Sequence, residues 1–149
     1  MRVFEFRSTW RLDADVAGVY NALADVDNYP RWWPQVRSIR RIDAQTGVAF
    51  VRSILPYELE LSLTREVEDP VARILRVRID GDLEGWSEWR VDAVSAGRQP
   101  ATVARYRQEA TVATAGVSRL LPVTAPVLRA NHTWMMRSGE RGLREYLRR

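Results

Sequence analysis

Cysteine and lysine are both absent from this chain of 149 residues, and histidine occurs once. Without cysteine there is no disulfide, no thiol nucleophile and no thiolate-bound metal, and a reducing compartment is the default. A lone histidine without cysteine does not make a typical zinc site either, so neither a metal nor a cofactor is expected. With lysine missing, all 23 basic residues are arginine, a bias best explained by a GC-rich bacterial genome. No apolar run approaches the ~20 residues that a membrane span needs. The opening stretch MRVFEFRSTW alternates instead of forming the apolar block of a signal peptide, so no transmembrane segment is expected and the location is cytoplasmic. Also missing are a Ser-His-Asp order, a P-loop and a glycine-rich dinucleotide fingerprint.

What is present is the composition of a folded globule, 46% hydrophobic and 28% charged. The length predicts one domain over residues 1–149. The formal net charge of +4 is modest and the arginines are spread along the chain. No arginine run interleaves with aromatics as a nucleic-acid groove requires, so no nucleic-acid partner is expected. The last cluster, Arg137, Arg141, Arg144 and Arg148, reads as the solvated face of a helix near a C-terminus, where cations suit the dipole.

Period-two patterns dominate the middle of the chain. VFEFRSTWRL places Phe4, Phe6, Ser8, Trp10 and Leu12 on one face of a strand. DADVAGVYNALADV follows, with Asp13 as a candidate N-cap and Val16, Val19, Tyr20 and Leu23 at helical spacing. Strands are expected near Gln35–Ile42 and Ala49–Leu55, then in ELELSLTREVE, ARILRVRID, LEGWSEWRV and TVARYRQEATV. Gly81-Asp82 is a hairpin signal, and GRQPAT reads as a loop. That makes about seven antiparallel strands.

From Ala125 to Arg148 the chain can run as one helix roughly 35 Å long. Leu128, His132, Met135, Met136, Gly139, Gly142, Leu143 and Tyr146 then share one stripe, opposite the four arginines. Two glycines inside a helix cost about 1 kcal/mol each against alanine. Their place on the apolar stripe offers a compensation, because they let the helix backbone come close to a sheet. A long amphipathic helix on a curved antiparallel sheet is a complete two-layer α+β domain.

DNYPRWWPQV, Asp27 to Val36, stands apart, with adjacent tryptophans Trp32 and Trp33 in a segment interrupted by Pro30 and Pro34. Proline rules out a central strand and interrupts a long helix there. YNALADVDNYPRWWPQV, GDLEGWSEWRV and NHTWMMRSGERGLREYL together resemble the polyketide cyclase/dehydrase branch of the START-like (SRPBCC) superfamily. The resemblance runs over nearly the whole chain and keeps the order of elements. It implies a helix-grip fold: a seven-stranded antiparallel sheet curved around the long C-terminal helix, with two short helices after the first strand. It also implies a cavity between sheet and helix for a lipid, sterol, polyketide or similar guest. In such a fold the proline-fixed segment crosses one end of the sheet. One tryptophan then plugs the layer below while the other faces the cavity, or both only seal the core edge.

The residues expected to line that cavity are Trp33, Trp89, Tyr106, Gln108, His132, Met135 and Met136, around a volume of about 300–1,000 Å³. On the sixth strand Gly85 and Ser87 share a face with Leu83, Trp89 and Val91. They either leave room for a guest or, at Gly85, mark a bend. Three functions follow: binding of a hydrophobic small molecule (polyketide, aromatic or lipid-like), an aromatase/cyclase acting on a polyketide, or an interaction module without ligand. If the protein is an enzyme, His132, Tyr106 and Arg52 are the candidate proton-moving groups. Binding is the reading favoured, in a monomer or homodimer, because one histidine with no visible partner is thin support for a reaction.

Overall fold

A computed structural model describes residues 3–52, 58–112 and 125–149. The alternation at the start becomes β1 (Val3–Leu12), with Trp10 and Leu12 buried on its inner face. Six more strands follow: β2 (Val36–Arg41), β3 (Thr46–Arg52), β4 (Glu58–Asp69), β5 (Ile74–Gly81), β6 (Leu83–Ala96) and β7 (Gln99–Val112). They form one antiparallel sheet of order β1-β7-β6-β5-β4-β3-β2. From β2 onward each strand pairs with the next, as short connections dictate.

Only β1 breaks that rule, since its successor lies at the far edge of the sheet. Six inter-strand steps of ~4.8 Å have to be crossed. The crossing is made by α1 (Val16–Ala24), which packs on β6 and β7, and a 3-10 segment (Val26–Arg31), which packs on β2. Asp15 caps α1, its carboxylate accepting from the Gly18 amide at 3.2 Å. Asp13 lies too far upstream to reach the first turn, so the expected cap moves by two residues.

Two other boundaries shift. β3 starts at Thr46, earlier than Ala49, and Ser53–Leu55 of the strand expected there lie outside the described residues. The expected loop GRQPAT is mostly strand: β7 begins at Gln99, and the turn is limited to Gly97-Arg98, with Gly97 at φ 67°. Pro100 is tolerated because β1 stops opposite Thr102, so position 100 has a neighbour on one side only.

The long helix, α2 (Ala125–Leu147), packs on β1 and α1, burying Met136, Gly139 and Leu143 while Arg137, Arg141 and Arg148 stay exposed. Two side chains clamp it to the edge of the sheet. The Arg11 amide donates to Glu140 Oε2 at 2.9 Å, and Arg144 donates to the Arg11 carbonyl at 2.9 Å. Both free backbone groups of an edge residue are thereby covered, which blunts that edge against foreign strands.

The two helix glycines are explained by what they touch. A Cβ at Gly139 would come within 2.6 Å of the Trp33 ring and 2.8 Å of the Trp10 ring. At Gly142 it would run into the Trp32 backbone carbonyl, so this glycine faces the tryptophan segment and not, as expected, the sheet. Gly142→Ala would gain about 1 kcal/mol of helix propensity but must displace backbone, and overpacking of that kind costs about 1–3 kcal/mol. Denaturant unfolding should therefore show a net loss of stability in Gly142→Ala. A variant more stable than the parent would contradict this packing.

Candidate functional site

Buried apolar side chains fall into two clusters. One is built on Trp10, Leu12, Leu23, Trp32, Trp33, Trp89 and Leu143, the other on Ala49, Val51, Leu59, Leu61 and Ile79. A cavity of about 190 Å³ is lined by residues of both. It is below the 300–1,000 Å³ expected from the sequence.

Each wall follows from a local periodicity. The first half of α2 contributes Leu128, Asn131, His132, Met135 and Met136, at the helical spacing of its apolar stripe. Alternate residues of β4, Leu59, Leu61 and Leu63, supply an aliphatic wall, while their neighbours Glu58 and Glu60 are exposed. Ser87 and Trp89 of β6 and Tyr106, Gln108 and Ala110 of β7 supply the sheet side. Gly85 is not part of that wall. It lies within β6 at φ 156°, in unbroken register with β7, where a Cβ would collide with the Glu109 carbonyl.

The tryptophan pair divides its work. Trp33 lines the cavity and donates its indole N–H to the Met135 carbonyl at 2.9 Å. Trp32 stacks on it at 5.4 Å and is buried away from the cavity, its indole N–H without a partner among the described residues. Tyr29 donates its hydroxyl to the Leu23 carbonyl at 2.6 Å, holding the 3-10 segment against α1.

All seven residues expected at the cavity are thus brought together around it. Arg52 is placed elsewhere. It is exposed at the end of β3, because Val51 takes the inward position and strand parity turns its neighbour out. Phe4 and Phe6 were not singled out as site residues, yet they line the cavity. The signal was their shared face with Trp10 on β1, which in register sets Phe6 opposite Gln108 and Phe4 opposite Ala110.

The uncharged polar groups are Ser87, Tyr106, Gln108, Asn131 and His132, with Arg65 and Arg76 at the border. Tyr106 donates to Gln108 Oε1 at 2.6 Å, and burial raises the phenol well above its ordinary pKa, so it stays protonated. His132 stacks between Phe6, at 4.2 Å and 17°, and Tyr106, at 5.7 Å and 25°. Burial pushes its pKa down to about 4, so the imidazole is neutral at pH 7. Among the described residues no carboxylate or hydroxyl hydrogen-bonds to it. Such a site is built to hold an apolar body and offer one or two neutral hydrogen bonds.

The family model described as "Polyketide cyclase / dehydrase and lipid transport" matches residues 3–148. The chain belongs to this family. The polyketide cyclase/dehydrase fold is also that of several solved structures. The Zhui aromatase/cyclase from Streptomyces sp. R1128 superposes with a TM-score of 0.78 at 17% identity, over 99% of this chain and 95% of that one. A START superfamily protein from Mycobacterium smegmatis gives 0.73 at 14%, over 97% of each chain. XoxI from Bacillus cereus gives 0.73 at 11%, over 96% of this chain and 94% of that one. At these identities the likeness shows the helix-grip fold and nothing finer. Comparison with curated proteins finds no match.

In this family member the burial of His132 has a measurable consequence. Its folded pKa, about 4, lies below the ordinary 6.5, so the folded state binds fewer protons than the unfolded one. The stability it contributes is complete above pH 6.5 and is lost as pH falls toward 4, by about 3 kcal/mol. His132→Phe keeps the stack on Phe6 and removes the titration. Across pH 7 to 4 the variant should lose less stability than the parent by about that amount, as measured by urea unfolding. Parallel losses in the two proteins would show that the imidazole is not desolvated.

Proposed function

We propose that the chain is a single ligand-binding domain that holds a hydrophobic small molecule between the sheet and the first half of α2. The observation that carries this reading is the largely apolar cavity of about 190 Å³, with Ser87, Tyr106, Gln108, Asn131 and His132 as uncharged polar groups of its lining. A family described by polyketide cyclisation, dehydration and lipid transport is consistent with such a guest. Met135 and Met136 give one wall that adapts to shape, since thioether side chains repack readily. Among the described residues no helix is long and apolar enough to cross a membrane.

A second reading, an aromatase/cyclase, is supported by His132 and Tyr106 facing the same cavity. Arg52 has no part in it, being exposed outside the cavity. Binding is preferred because the two rings stack and do not share a proton, and neither has a carboxylate partner among the described residues. If catalysis occurs, His132→Gln should cut turnover by about 10²–10⁴-fold while binding is retained.

The binding reading is tested with one-, two- and three-ring hydrophobic compounds titrated against tryptophan fluorescence, which reports on Trp33 and Trp89. At least one compound should quench saturably with a one-site isotherm. Met135→Trp, which fills the cavity, should weaken that compound tenfold or more with the cooperative unfolding transition retained. Linear, unsaturable quenching by every compound would refute the proposal.

A further inference from the structure

The size of the cavity and the placement of its polar atoms narrow what it can take. An apolar protein cavity of ~150 Å³ suffices for benzene, whereas pockets for drug-sized molecules begin near ~300 Å³. At about 190 Å³ this cavity falls between the two. A single ring with a short substituent fills it, and a fused three-ring skeleton does not.

Polarity is concentrated around Tyr106. Gln108 is only 8% exposed, and its Oε1 is already engaged by the Tyr106 hydroxyl at 2.6 Å. Its amide nitrogen, with two donor hydrogens, has no acceptor among the described residues. That nitrogen is not among the sealed, unpartnered polar atoms, so open space remains beside it, where an oxygen on a guest can accept its hydrogen. The cations that border the cavity are already committed. Arg65 donates to the Ala24 carbonyl and pairs with Glu68, and Arg76 pairs with Glu66 and Glu88. Among the described residues an anionic guest would therefore meet no free counter-charge in the lining.

We infer, on the binding reading above, that the cavity selects a neutral molecule of about one-ring size carrying an oxygen acceptor, received by the Gln108 amide. The first test is equilibrium dialysis with acetophenone, ethylbenzene, benzoate and 9-fluorenone. Acetophenone should bind at least tenfold more tightly than benzoate, excluded by charge, and than 9-fluorenone, excluded by size despite its greater hydrophobicity. Gln108→Met should weaken acetophenone about five- to tenfold and leave ethylbenzene within twofold. Should that variant fail to fold, Gln108→Asn, which keeps the amide but withdraws it by one methylene, should show the same selective loss. Fluorenone or benzoate binding as tightly as acetophenone overturns the size or charge limit while leaving the binding reading intact. Equal losses for acetophenone and ethylbenzene overturn the role of Gln108. Saturable binding by none of the four, nor by larger hydrophobic compounds, would overturn the binding reading and this inference with it.

Discussion

The close approach of α2 to a block of tryptophans sets the geometry of everything else. Trp10 comes from β1, Trp33 from the proline-interrupted crossing and Trp89 from β6, and their rings meet at 5.3 Å and 4.7 Å around Trp10. The helix has glycine where it meets this block, so its backbone sits directly on indole rings and on the Trp32 carbonyl. The Trp33 indole N–H then ties the Met135 carbonyl to the same block. Tilted and edge-on aromatic pairs add about 0.5–1.5 kcal/mol each beyond their area. Anchoring concentrates on the later part of the helix, while His132 and Met135 of its earlier part face space.

That space is expensive to maintain. At about 24 cal/mol per Å³, an apolar cavity of about 190 Å³ would cost roughly 4–5 kcal/mol if sealed and dry, a large fraction of the ~5–15 kcal/mol stability of a small domain. Its walls resist closing for separate reasons. Rings stacked on one another at Phe6, His132 and Tyr106 cannot flatten into the gap. The leucines of β4 sit in a separate cluster that the helix reaches through Met135. The methionines are the unbranched side chains best suited to follow a guest. A cavity retained against that cost is more economically explained by an occupant than by imperfect packing.

Much of this was legible in the sequence because two periodicities are strong. Alternation marks the strands, and the 3.6-residue stripe puts His132, Met135 and Met136 on one side of the helix. The residues around the cavity were readable for the same reason, since Tyr106 and Gln108 have the parity of a single strand face. What was not readable depended on three-dimensional context. Arg52 could be assigned outward only by knowing that Val51 faces the core. Trp33 was expected at the cavity, but the bond that holds it there, to the Met135 carbonyl 102 residues away, has no signal in the sequence. Pro100 sits in a strand because β1 happens to end opposite Thr102. Cavity volume is a residue of how two clusters fail to meet, and no one-dimensional pattern encodes it.

The same desolvation that makes the cavity suitable for an apolar guest weighs against acid–base work within it. General acid–base groups act best when their pKa lies near the operating pH. His132, pushed down to about 4, is too weak a base and too scarce an acid near neutrality, and Tyr106 is shifted the opposite way. A nearby carboxylate would reverse the histidine shift by favouring the imidazolium, but among the described residues the cavity lining contains no aspartate or glutamate. The inward polar groups are therefore matched to donating and accepting hydrogen bonds in their neutral forms.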